Sequence, residues 1–229
     1  MNVPVTLDPI ALAYASSRDP FTYTLEVPVD GTISELSFFA GAQILDKLSL
    51  SQPNGRSAEA NTAGVTVQTF RHMRILTLID PEPGVRWAEM SGRGRFDLAV
   101  RYLTDRTRLA ERGLEGINLI DFNFVELRGR PGHQGLFPLS GHPQAGTMQR
   151  CRITLTGGIK QPIIDLVSAT GVVLSEVLLE EESDIAADEF IGSCLAPDQP
   201  FRVRVRGEDT EGWPFQRITA GLTAPDEQR

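Results

Sequence analysis

The sequence predicts an all-β protein built as two β-sandwich domains, and three observations carry that reading. Apolar and polar residues alternate with period two along most of the chain, which sends one strand face to a core and the other to water. Gly, Pro, Asn and Asp punctuate the alternation at intervals of roughly 8–12 residues, the spacing of strands in a sandwich. Only 104–116 carries a helical pattern, and it is short. A chain of 229 residues accommodates two sandwiches, each of roughly 100 residues.

Residues 1–18 read as an N-terminal linker and 19–104 as the first sandwich. Within it 22–29 alternates, Asp30-Gly31 turns the chain, and 33–40 follows. Stretch 45–51 runs into Pro53-Asn54-Gly55, a strong turn signal. Stretches 65–70 and 74–79 are rich in β-branched and apolar residues. Pro81 and Pro83 lack the amide hydrogen that a ladder needs, so Asp80-Pro-Glu-Pro-Gly84 is expected to turn. Trp87 comes next, then Ser91-Gly-Arg-Gly94 between strands, then strand 96–103.

Residues 105–147 read as a connecting segment. It holds the helical stretch, a strand over 117–127, and Gly/Pro-rich stretches at 128–135 and 141–146 that suit extended loop. The second sandwich spans 148–224 and begins as early as 117. Strands are expected at 148–156, 160–167, 171–179, 189–195, 200–206 and 214–222. That number of short strands fits an immunoglobulin-like sandwich. Its clearest strand alternates Phe201, Val203 and Val205 with Arg202, Arg204 and Arg206; turn residues at 207–212 precede Phe215.

Charge narrows the function classes. With 22 basic against 30 acidic residues the net charge is −8, a poor basis for neutralising a phosphate backbone, so nucleic acid is not expected as a partner. Lys47 and Lys160 are the only lysines, and arginine supplies almost all positive charge. No apolar run approaches the ~18 residues of a membrane-spanning helix. The first residues lack a basic region followed by an apolar core, so no signal peptide is expected. That leaves an intracellular protein, or an extracellular one if the chain is cut from a longer secreted protein. Cys151 and Cys194 both fall on apolar alternations, read either as two buried free thiols or as one bridge between neighbouring strands.

Few residues invite chemistry. His133 and His142 sit in the Gly/Pro-rich stretch without the further ligands a metal site requires, and His72 reads as a lone strand residue. The run Glu180-Glu-Glu-Ser-Asp184, with Asp188 and Glu189, offers hard oxygen donors without the spacing or central glycine of a calcium loop. Arg202, Arg204 and Arg206 form either a partner-binding stripe or a ladder paired with acidic neighbours across the sheet. Trp87 and Trp213 lie beside turns, where indole stacks on a sugar, anchors an interface or plugs a core end. Ser91 lacks a nucleophile elbow, and no Walker loop or dinucleotide fingerprint occurs. No catalytic residue, cofactor or metal is therefore expected.

The order of several motifs resembles the region that follows the von Willebrand A domain in hemicentins and in von Willebrand factor A domain-containing protein 7. The resemblance is carried by Pro53-Asn-Gly55, Asp80-Pro-Glu-Pro-Gly-Val-Arg-Trp87, Ile120-Asp-Phe-Asn-Phe124, Pro197-Asp-Gln-Pro-Phe-Arg-Val and Gly212-Trp-Pro-Phe-Gln-Arg217, across about residues 20–222. It implies a galactose-binding-like, jelly-roll-like sandwich followed by an immunoglobulin-like one. In that family the pair accompanies an adhesive A domain, whose metal motif this sequence lacks. The expected function is a non-enzymatic protein–protein interaction or structural module, self-associating or part of a larger assembly. The stripe Arg202/Arg204/Arg206 and the stretch carrying His133 and His142 are its candidate surfaces. The alternative is carbohydrate or ligand binding by the first sandwich, near Asn54, Trp87 and Arg93. A hydrolase with a site assembled from distant residues stands third.

Overall fold

Period-two burial is clearest over 84–103, 150–156 and 202–206. The computed structural model describes residues 9–58, 62–130, 132–180, 189–219, 221 and 223. The acidic run beyond Glu180, with Asp188, and the first eight residues lie outside the described ones. The first domain comprises β1 (Ala11–Val29), β2 (Glu35–Ser51), β3 (Ser57–Ala58), β4 (Val65–Thr69), β5 (Met73–Ile79) and β6 (Gly84–Leu103). Helix α1 (Arg106–Glu111) follows. The second comprises β7 (Asn118–Arg130), β8 (His133–Pro138), β9 (Met148–Thr156), β10 (Ile159–Val167), β11 (Val173–Glu176), β12 (Leu178–Leu179), β13 (Glu189–Leu195), β14 (Arg202–Asp209) and β15 (Pro214–Ile218). The protein is all-β, with antiparallel pairing throughout these strands.

The first domain is one sheet in the order β1-β6-β2-β5-β4, with β3 added on β2. Along β6 the even-numbered residues from Gly84 through Tyr102 are buried except Gly94, which is half-buried. One face of a single sheet can be dry only if something covers it. Here the cover is the sheet itself. All three long strands break register at one level: between Ser17 and Phe21 in β1, and between Ala42 and Ile44 and between Leu45 and Lys47 in β2, opposite Gly92 to Phe96 of β6. Bulges increase twist and bend a strand, so the sheet folds along this line. Val27, Leu50, Ala88 and Met90 from one half then join Phe38, Leu76, Phe96 and Leu98 from the other in one core. Burying each large apolar side chain stabilises the fold by about 1.5–3 kcal/mol.

The long strands correct several sequence expectations. Residues 11–18 belong to β1 and are no linker, because Ala11 and Ala13 are buried opposite the last turns of β6. The glycines at 41, 92 and 94 do not end strands; they let strands bend and cross closely. A Cβ on Gly92 would strike the Ile44 carbonyl oxygen, and one on Gly94, whose φ is +84°, would strike the Gln43 side chain. Strands β7 and β8 occupy 118–130 and 133–138 of the expected connector, so the strand foreseen over 117–127 runs longer and gains a partner. Arg130 pairs with His133, so the glycines of the 128–135 stretch shape a hairpin. The expected helix shrinks to six residues, capped by Asp105, whose Oδ1 accepts from the Thr107 and Arg108 amides at 2.9 and 3.1 Å.

The second domain is a two-layer sandwich. Sheet β11-β10-β14-β15 faces sheet β12-β13-β9-β7-β8. Cys151, Ile153 and Leu155 of β9 meet Ile164 and Leu166 of β10, Val203 and Val205 of β14 and Phe215 of β15. Phe122, Phe124 and Phe201 close one end, with ring centroids 5.2–6.2 Å apart in edge-on geometry.

A buried arginine bolts the domains together. Arg217 of β15 and Asp30, just after β1, are both fully buried, and their charged atoms lie 2.8 Å apart. Arg217 Nε donates to the Ile117 carbonyl at 2.8 Å, and the guanidinium carbon sits 4.0 Å from the ring centroid of Tyr102. Tyr102 Oη donates in turn to the Ile117 carbonyl at 3.2 Å. Burial alone would lower the pKa of Arg217, but Asp30 and Tyr102 reverse that and hold the group charged. Around this pair, the Ile218 amide donates to the Pro9 carbonyl at 2.9 Å and Gln216 Nε2 donates to the Ile10 carbonyl at 2.7 Å.

Arg86 is buried differently. Its Nη2 donates to the Glu82 carbonyl at 3.1 Å, while Nε and Nη1 are buried with no partner. Burial lowers its pKa, and Glu82 only partly offsets this. The two arginines therefore predict opposite outcomes in urea denaturation. Arg217→Met strands the Asp30 charge and lowers stability by about 3–5 kcal/mol. Arg86→Met removes unsatisfied donors and leaves stability unchanged or raises it by about 1–3 kcal/mol.

Candidate functional site

Strand β14 presents the arginine stripe on the outer face, because Val203 and Val205 take the core side. All three arginines are occupied from within the chain. Register places Asp165 of β10 directly opposite Arg204, and Asp165 is fully buried beneath its partners. Arg204 donates to Asp165 Oδ2 from Nε at 3.1 Å and Nη2 at 2.7 Å, and Arg206 Nη2 donates to the same oxygen at 2.8 Å. Arg202 donates to the Thr219 carbonyl at 3.0 Å, and burial lowers its pKa. The stripe stitches β14 to its neighbours.

The histidines do not converge. His133 begins β8 and is exposed, whereas His142 lines a small cleft of about 160 Å³ with Phe122, Phe124, Phe201 and Pro143. His72, in the β4–β5 turn, shares a hydrogen bond of 2.9 Å through Nδ1 with the Gln43 carbonyl. Among the described residues no three His, Cys, Asp or Glu side chains are grouped as a metal site would need. Of the acidic run, Glu180 pairs with Arg150, whose Nε donates to its Oε1 at 2.7 Å; that hydrogen bond holds the Glu180 carboxyl below its usual range. Glu189 opens β13.

The two tryptophans lie on different domains, both exposed. Trp87 is on the outer face of β6, where its amide donates to Ser51 Oγ at 3.0 Å. Asn54 lies in the nearby turn, but Arg93 is six residues further along β6, about 20 Å away in an extended strand. The three do not form one site. Trp213 edges a junction cleft of about 350 Å³ between the domains, lined also by Asp80, Arg108, Arg112 and Glu211. Asp209 frames the cleft, accepting from the Gly31 amide at 3.1 Å and the Trp213 amide at 2.8 Å. Arg108 pairs with Asp80, and Arg112 with Glu211 at 2.8 Å, so the cleft neutralises its own charge.

A further surface gathers across three strands of the second domain. Leu178 of β12 sits opposite Ser193 of β13, and Leu195 of β13 sits opposite Met148 of β9. Directly paired residues share a sheet face, and Cys194 beside them points into the core, so these side chains point outward. Leu178 is 66% exposed, Met148 59% and Leu195 47%. Strand β12 ends this sheet, leaving its outer edge unpaired among the described residues. The run Val177-Leu178-Leu179 held the signal: period two cannot bury three consecutive apolar residues on one face.

No protein-family model matches the chain. No curated protein matches it either. Among solved structures, the chain is similar to a Bacillus licheniformis lipase, BlEst2, in propeptide form, with 13% identity and a TM-score of 0.32 over 94% of this chain. It spans 45% of that lipase chain. A chimeric titin Z1Z2 carrying an exogenous KLER peptide from decorin shares 12% identity at a TM-score of 0.26, over 98% of this chain and 100% of its own. Likenesses at this level carry no argument about activity. Among the described residues no helix is long and apolar enough to cross a membrane.

Cys151 and Cys194 are both free and buried on neighbouring strands, with Gly192 opposite Cys151. The contact with Cys194, together with burial, pushes the Cys151 thiol far up, away from the reactive thiolate. A thiol-reactive aromatic disulfide is therefore expected to label neither cysteine in the native protein within minutes and both in denaturant. Rapid native labelling would contradict this burial.

Proposed function

We propose that the chain is a non-enzymatic interaction module, two β domains held in fixed relation, that associates with protein through the outer face and open edge of the second domain's five-stranded sheet. One observation carries the reading: Leu178, Leu195 and Met148 are exposed side by side next to an unpaired strand edge. Apolar clusters of this kind mark association surfaces, and an open edge offers backbone donors and acceptors to an added strand. The duties of the polar side chains support the non-enzymatic part. Arg204 and Arg206 neutralise Asp165, Arg217 neutralises Asp30, and both thiols are buried. The resemblance of the motif order to regions that accompany an adhesive A domain supports the same reading, with the finer assignment to galactose-binding-like and immunoglobulin-like domains part of the proposal.

The occupant of this face is protein, a second copy being the simplest case. Sedimentation across a concentration series is expected to show mass rising above 25.1 kDa, and Leu178→Arg combined with Leu195→Arg to abolish the rise without lowering the melting temperature. A strict monomer that also captures no protein from its source would overturn the proposal.

A further inference from the structure

The bend in the first domain's sheet builds a second feature, independent of the association face. Where the three long strands break register, the outer surface opens into a groove of about 760 Å³, within the range of small-molecule sites. Arg93 and Arg95 flank Gly94 on β6, and both are exposed and line the groove. Arg18 enters from the β1 bulge, between Ser17, which pairs with Gly94, and Phe21, which pairs with Gly92. His72 reaches the groove from the β4–β5 turn. Three arginines thus line one concavity with a single lining carboxylate, Asp97, in a chain whose net charge is −8.

The ion pairs of the fold are made elsewhere: none involves Arg18, Arg93 or Arg95 among the described residues. Arg95 is steadied instead by the Tyr14 ring, its guanidinium carbon 5.9 Å from the centroid. His72 is steadied by the Gln43 carbonyl. A guanidinium presents forked donors that match the oxygens of a tetrahedral oxyanion. Asp97 adds a second requirement. It lies against Gly41, with Oδ1 2.8 Å from where a Cβ would stand, and burial raises its pKa above the usual carboxylate value. Its oxygens accept hydrogen bonds, so a ligand hydroxyl has an acceptor on the groove wall.

We propose that this groove binds a small hydroxylated ligand bearing a sulfate or phosphate ester, with Arg18, Arg93 and Arg95 taking the oxyanion and Asp97 a hydroxyl. A long polyphosphate is disfavoured by the charge of the rest of the chain.

Titration calorimetry on the whole chain tests this with glucose 6-sulfate, glucose 6-phosphate and unsubstituted glucose. One or both esters are expected to bind saturably, with glucose silent; comparing the two esters identifies which oxyanion the site prefers. Arg93→Ala with Arg95→Ala is expected to weaken binding at least tenfold at an unchanged melting temperature, since both side chains are exposed. Asp97→Asn is expected to tighten inorganic sulfate or phosphate about fivefold, by removing one repelling charge. No saturable ester binding up to about 10 mM, or binding indifferent to loss of the two arginines, would overturn the proposal.

Discussion

The pairing of Arg217 with Asp30 is the constraint on which the arrangement of the two domains depends. Removing two charges from water carries a desolvation penalty of several kcal/mol per ion, recovered only where geometry and further hydrogen bonds are good. Satisfying Arg217 requires the turn after β1, the Tyr102 ring near the end of β6, the Ile117 carbonyl beyond α1 and strand β15 all at one point. Four segments distant in sequence meet there. An apolar junction could slide; this one has a single solution, because any other docking would leave an ion buried alone.

The same economy of charge explains what the surface has left to offer. Lysine is nearly absent, and the guanidinium fork suits shielded carboxylates better than an ammonium does. The buried acids Asp30 and Asp165 are each met by arginines from the C-terminal hairpin β14–β15. The regular arginine stripe of β14 is consequently turned inward in its chemistry although it faces outward in space. What remains open is apolar on the outer face of one domain and cationic at the bend of the other.

The period-two pattern made the strand content and the second sandwich legible, since Val203, Val205 and Phe215 go inside as their alternation requires. Strand lengths were not legible. Gly41, Gly92 and Gly94 look like breaks in a one-dimensional pattern, and only the register across β1, β6 and β2 shows that they permit bending. The hairpin at Gly129 to His133 was hidden for a related reason: glycine-rich stretches serve loops and tight turns alike. Site residues were harder still. The pairing of Arg204 and Arg206 with Asp165 joins residues about forty positions apart, and the convergence of Arg18, His72 and Arg93 depends on bulges that leave no local signature. The Leu178 surface was the exception, written in three consecutive apolar residues.

Because Ala11 pairs with Val100 and Leu12 with Ala99, the first sheet cannot close its outermost ladder until most of that domain has left the ribosome. Asp30 must wait longer, for Arg217. Contacts of such separation slow folding, since loop closure is opposed by entropy before any reward arrives. Docking of the β14–β15 hairpin therefore completes the junction: it brings the guanidinium without which the Asp30 carboxylate has no buried counter-charge.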